Sequence, residues 1–304
     1  MSLSPSIIAA VAEARGGALG IELWGSGRDI GEILTTTLTE PVHSHFSAIG
    51  ATLLQLASFA PRRPGCAQLL LGAGAELDVH SAAGLGMVAE LNALLEADPS
   101  SRERRLDTFT PLQYAIASNQ GESVSCLLGH GADPNAAVDK IAWFIWEEAA
   151  VERQMLGRWM AIHMAALYGA SEAAEALVDG GANLSAKCLF GTEVMHLAGM
   201  ADGFDMLSAL AALGADPNGL ADAYPEEANS LMHNASDYTQ IVGVSGRTPL
   251  MVAAAEGHFE ASRRLLELGA DREVVDSAGR TALDYANKGF YGKNGKIARL
   301  IETR

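Results

Sequence analysis

Aromatic residues are scarce in this chain, at 6% of its 304 positions, and cysteines number only three. A strand-rich fold would draw on more aromatic and β-branched side chains, which suit a pleated, half-buried surface. Cys66, Cys126 and Cys188 are an odd number without paired spacing, so a disulfide framework is not expected; small buried core residues in a reducing compartment are. No apolar run approaches the ~20 residues that span a bilayer. Met1 to Pro5 supplies no basic region ahead of the apolar Ile7 to Val11, so no secretory signal is expected, and the default location is cytoplasmic. Positive charge is also short. Lys and Arg number 21 against 37 Asp and Glu, a formal charge of -16, which repels phosphate backbones and anionic lipid. Neither nucleic acid nor membrane is an expected partner; a basic or neutral protein is.

What the chain has is apolar bulk and turns. Hydrophobic residues make up 49%, largely Ala and Leu, beside 32 Gly, a composition suited to short, closely packed helices joined by tight turns. Self-similarity is clearest near the C-terminus. Gly246-Arg-Thr-Pro-Leu-Met-Val-Ala-Ala-Ala-Glu-Gly-His258 is followed by Leu265-Leu266 and Gly269-Ala-Asp271, and the next unit opens at Gly279-Arg-Thr-Ala-Leu283, so Thr248 to Thr281 is 33 positions. This pattern resembles the ankyrin repeat, of the bacterial type with two long insertions. The resemblance implies an all-α solenoid of stacked helix-turn-helix units with β-turn or hairpin fingers.

Each element of the pattern has a physical role. Thr-Pro opens the first helix with a capping oxygen and a residue whose missing N–H costs nothing there. The Ala pair lets neighbouring helices approach, Leu-Leu fills the interface, and the Gly that follows takes the left-handed conformation ending the second helix. The same frame finds units opening at Thr110, Met160 and Glu193, and degenerate ones at Thr52 and Leu77. Leu77 lies 25 positions after Thr52, which leaves 8 residues missing from a 33-residue period and predicts a lost finger. About seven units are expected over residues 49–304, with residues 1–48 as an N-terminal helical cap.

The period breaks twice. Thr110 to Met160 is 50 positions and Glu193 to Thr248 is 55, so insertions are expected at about 136–158 and 219–244, each after Gly-Ala-Asp-Pro-Asn. The first holds Ile141-Ala-Trp-Phe-Ile-Trp-Glu-Glu148, read as an aromatic helix. The second holds His233 and Asp237, which share a face if helical. Insertions at such places often carry function.

Binding in the ankyrin family concentrates on finger tips and first helices. Carried onto this sequence, the resemblance implies contacts at Phe109, Trp159, Phe190 and Arg247 before the helices, and at Leu167, Tyr168, Met200 and Glu256 near their ends. With Trp143 and Trp146 of the first insertion, these residues make the expected concave aromatic face for a protein or peptide partner. The alternative is an enzyme without cofactor, an isomerase, lyase or hydrolase, whose apolar pocket lies between the insertions. Its acid-base groups would come from His233, Asp237, Tyr238, Glu147 and Glu148. The resemblance makes His80, His163, His196 and His258 structural. His43-Ser-His45 has no third ligand, and no phosphate loop, zinc cluster, nucleophile elbow or dinucleotide fingerprint is present, so no metal or cofactor is expected.

Overall fold

The computed structural model describes residues 5–12, 19, 29–38, 50–59, 64–106, 109–141, 155–188, 191–223, 243–288 and 294–303. The chain forms two compact units, Met1–Asp133 and Pro134–Arg304.

In the first unit the described helices are α1 (Pro5–Ala12), α2 (Ile30–Thr35), α3 (Leu53–Ser58), α4 (Pro64–Gly72), α5 (Val79–Leu85), α6 (Val88–Ala97), α7 (Pro111–Ala117) and α8 (Gly121–Gly129), with a 3-10 turn at Pro99–Glu103. None is longer than ten residues. Helices this short are unstable alone, so they form only by stacking. First helices α3, α5 and α7 pack side by side in one layer, and α6 packs on α8 in another. Helix α1 packs on α3 with Ile7, Ala10 and Val11 buried, and the Cys66 thiol donates to the Ala10 carbonyl at 3.8 Å.

Between α4 and α5 the chain runs only through Ala73–Asp78, and no finger intervenes. The helix begins one position later than the sequence frame placed it. Asp78, not Leu77, is the cap, its carboxylate accepting the Ser81 N–H at 2.9 Å.

The second unit opens with β1 (Ala137–Ile141) and β2 (Met155–Met160). The described helices that follow are α9 (Ala161–Tyr168), α10 (Ser171–Asp179), α11 (Val194–Met200), α12 (Phe204–Ala212), α13 (Pro249–Glu256), α14 (Phe259–Glu267), α15 (Ala282–Lys288) and α16 (Gly295–Glu302). First helices α9, α11, α13 and α15 stack in order, and second helices α10, α12, α14 and α16 stack beside them. Ala165, Ala198 and Ala253 are fully buried in the first layer, and Leu177, Leu207, Leu210 and Leu265 in the second. The turn between the two helices needs a left-handed residue. Gly169 and Gly257 supply it, whereas Asp202 takes φ 52°, a region that Asp tolerates better than most side chains.

Candidate functional site

The fingers of the second unit share one closure. Two positions of each finger face each other across the hairpin: one ends its outgoing arm, the other immediately precedes the next helix cap. The Cys188 N–H donates to the Thr192 carbonyl at 3.0 Å, Ala221 to Arg247 at 2.9 Å and Asp276 to Arg280 at 3.0 Å. Val138 and Trp159 are the corresponding partners in the antiparallel β1–β2 ribbon, which pairs Ala137 with Met160 at its base and carries an irregularity between Val138 and Lys140. In two fingers the closing partners, 138 with 159 and 221 with 247, stand 21 and 26 positions apart, against four for 188 with 192 and for 276 with 280. The described helices on either side stack in regular order.

This closure buries several of the residues expected on the contact face. Residues just before a helix cap turn inward onto the first helix, so Phe109, Trp159 and Arg247 are buried and present no exposed stripe. In the first unit the Phe109 ring meets Phe59 edge-on at 4.8 Å, and Phe59 meets Tyr114 at 4.9 Å. In the second, Trp159 has no exposed surface and stands at right angles to the His163 ring. Leu167 is buried as well. Tyr168, Met200 and Glu256 are half-buried, each the last residue of its first helix. Burial pushes the Tyr168 phenol up, so it stays neutral. Trp143, Trp146, Phe190, Glu147, Glu148, His233, Asp237, Tyr238, His43 and His45 lie outside the described residues. Ile141, where the aromatic helix was expected to begin, ends strand β1.

The repeat histidines hold neighbouring segments together. The Met160 N–H donates to His163 Nδ1 at 3.0 Å, and His163 Nε2 bonds the Ala186 carbonyl at 2.9 Å. His196 repeats this with the Glu193 N–H at 3.3 Å and the Arg247 carbonyl at 2.9 Å. With one ring nitrogen accepting and the other donating, the neutral imidazole is satisfied. Burial lowers both rings, partly offset by the carbonyl bonds, and takes His196 to about 4. His258 bonds the Gly199 carbonyl at 3.1 Å. In the first unit His80 meets the Arg104 carbonyl at 3.0 Å and the Asp78 carboxylate at 3.2 Å. Burial raises Asp78, but bonds from His80, Ser81 and Gln55 outweigh it and hold the carboxyl far below its ordinary range. Among the described residues no group of three or more His, Cys, Asp or Glu is placed to hold a metal.

The finger tips carry residues that the sequence reading passed over. Beside each buried closing position the chain alternates outward, which brings Lys187, Leu220 and Val275 to equivalent places and sets Asp222 and Ser277 two residues on from the last two. Leu220 and Val275, 49% and 55% exposed, are the exposed large hydrophobic side chains among the described residues. Lys187 Nζ pairs with the Asp222 carboxylate of the next finger at 2.7 Å. Glu193 stands half-buried at the foot of this region. Burial raises its carboxyl, Lys187 pulls it down, and Asp216 and Asp222 raise it further. The signal lay in the period-two pattern of Gly219-Leu-Ala-Asp222 and Val274-Val-Asp-Ser277, masked by the assignment of Leu220 to an insertion.

Comparison with known proteins gives the same repeat. A family model described as ankyrin repeats in three copies matches residues 220–301, and a single ankyrin-repeat model matches 107–140. A probable E3 ubiquitin-protein ligase, XBOS32, of Oryza sativa subsp. japonica is 30% identical over 216 residues, which are 69% of this chain and 41% of that protein. Ankyrin repeat protein nuc-2 of Neurospora crassa is 28% identical over 211 residues, 68% of this chain and 16% of that protein. Neurogenic locus notch homolog protein 1 of Mus musculus is 29% identical over 185 residues, 59% of this chain and 6% of that protein. The chain thus spans less than half the length of each of these relatives.

Proposed function

Because this chain is an ankyrin-repeat protein, we propose that it is an interaction module, which holds a protein or peptide partner on the fingers and first-helix ends of the second unit. Fold alone does not establish function. The observation that carries the reading is the spacing of two pairs of closing partners, 21 and 26 positions where the other fingers have four, and we read the extra chain as two insertions. Extra chain added there changes the surface without disturbing the stack. Half-buried Tyr168, Met200 and Glu256, at the ends of successive first helices, offer further contact area. The described repeat histidines are bonded to backbone groups or to Asp78, so they serve packing. A cytoplasmic setting is part of the proposal, supported by the odd cysteine count, and a formal charge of -16 favours a protein over nucleic acid.

The test places a photo-crosslinking side chain at Tyr168 or Met200 in the whole protein, with Glu175 on the outer helix α10 as control. One partner protein captured from the first two positions and not the third is the expected result. A small molecule that raises the melting temperature, with no captured protein, would overturn the reading in favour of a ligand pocket.

A further inference from the structure

Exposed aliphatic side chains scattered singly over a surface carry no message. Here the two exposed large hydrophobics among the described residues are not scattered: Leu220 and Val275 occupy the same place on adjoining fingers of one unit. Backbone bonds fix those fingers to each other. The Ser277 N–H donates to the Ser245 carbonyl at 2.9 Å and the Ser245 N–H to Ser277 Oγ at 3.0 Å, while the Asp222 N–H ties the preceding finger through the Gly191 carbonyl at 2.9 Å. The backbone that carries the apolar pair is therefore held in place, which lowers the ordering cost of binding.

The charges around the strip have one sign to spare. Asp216, Asp222, Asp271 and Glu273 are exposed in these fingers and their bases. Of the nearby cations, Lys187 is paired with Asp222 and Arg280 with Asp276; Arg272, bonded to the neutral Thr303 carbonyl, keeps its charge and offsets one of these acids, and Arg247 is buried beneath the fingers. Asp216 and Asp271 accept backbone N–H bonds from Asn218 and Glu273, which leaves their charge uncompensated. Burial raises the Glu193 carboxyl, and Asp216 and Asp222 add to it against the pull of Lys187, in keeping with a negative local field.

We propose that the outgoing arms of fingers 217–223 and 272–280 form a docking strip for an extended, cationic segment of a partner protein, with apolar side chains seated on Leu220 and Val275. This rests on the interaction-module reading and names the partner's chemistry. Stacked helices lie about 8–10 Å apart; an extended segment of polyproline-II geometry, with three residues per turn at ~3.1 Å each, covers this in one turn and brings side chains three positions apart to the same face. The matching segment has two apolar residues three positions apart, with Lys or Arg between and beside them.

A fluorescein-labelled peptide Lys-Leu-Lys-Lys-Leu-Lys, titrated into the whole protein and followed by anisotropy, is the direct probe. Binding is expected, with affinity falling as salt rises. A double variant Leu220→Ser and Val275→Ser, whose thermal melt verifies folding, is expected to bind about tenfold more weakly. Asp271→Asn with Glu273→Gln should weaken binding and flatten its salt dependence. The peptide Glu-Leu-Glu-Glu-Leu-Glu should not bind. Failure of the basic peptide to bind, equal binding by the serine double variant, or equal binding of the acidic peptide would overturn the strip. If the double variant crosslinks a partner through Tyr168 or Met200 as efficiently as the unaltered protein, the strip falls and the interaction reading stands; if no crosslink forms in the unaltered protein either, both fall.

Discussion

Asn135 reaches across 46 positions of sequence to Gly181, its Nδ2 donating to the Gly181 carbonyl at 3.0 Å, while its Oδ1 accepts the Asn183 N–H at 2.9 Å. Asn218 does the same with the Gly269 carbonyl at 3.2 Å and the Asp271 N–H at 2.7 Å. Each asparagine ends a Gly-Ala-Asp-Pro-Asn stretch, and each stands just ahead of an insertion. Successive repeats are thus clamped on the second-helix side.

Asn135→Ala and Asn218→Ala should each lower unfolding free energy by about 1 kcal/mol, since water replaces the lost bonds at these exposed places. Urea denaturation of the single variants reads this directly. An unchanged midpoint in both would show that the clamps add nothing beyond helix packing.

His196 makes stability depend on pH. Its folded value of about 4 lies below the ordinary 6.5, so the unfolded chain binds a proton that the folded ring refuses. The stabilisation is complete above pH 6.5 and drains away as pH falls toward 4, by about 3 kcal/mol in all. His196→Gln should flatten the melting temperature against pH over this interval, because Gln offers a similar acceptor and donor without titrating. A slope equal to that of the unaltered protein would rule this histidine out as its source.

Two glycines predict opposite outcomes for the same substitution. A Cβ on Gly84 would stand 2.2 Å from the Ser58 carbonyl oxygen, a backbone atom that also accepts the Ser118 hydroxyl, so Gly84→Ala should cost about 2–4 kcal/mol. On Gly199 it would meet the Pro249 carbonyl at 3.4 Å and Ala253 Cβ at 3.6 Å, ordinary contact, and Gly199→Ala should gain about 0.5–1 kcal/mol from helix propensity. Calorimetric melts of the two variants should move apart; shifts in one direction would refute the packing argument.

Glu193 holds the cap position that Thr occupies at Thr52, Thr110 and Thr248. Its carboxyl takes part in a capping box with His196 but is raised, first by burial, so it sits there ionised at a cost that a Thr hydroxyl does not carry. Glu193→Thr should therefore stabilise the protein by about 1 kcal/mol at neutral pH. Because the raised carboxyl costs stability when ionised, the gain should shrink as pH falls and Glu193 protonates. A gain independent of pH would assign the effect to the cap alone.

The helical stack was legible because its determinants are local: Thr-Pro caps, Ala pairs, Leu pairs and turn glycines recur at fixed places. The finger deletion between α4 and α5 could be read from spacing alone. The expected aromatic face was not legible, because a residue such as Trp159 is placed by a hairpin partner, Val138, on the far side of an insertion. Sequence proximity to a helix cap suggested exposure, whereas the hairpin turns that position inward. Leu220 and Val275 escaped notice for the converse reason: nothing in either residue type announces exposure, and only the alternation beside buried Ala221 and Asp276 does.

The β1–β2 ribbon has a practical consequence for engineering. Its strands zip the chain together from Ala137 opposite Met160 to Ile141 opposite Met155, so the ends of the segment that leaves Ile141 and returns at Met155 are already held together. The entropic cost of a longer loop rises only with the logarithm of its length. Foreign epitopes or binding peptides grafted beyond Ile141 should leave the scaffold's folding almost untouched, making this finger a natural port for display.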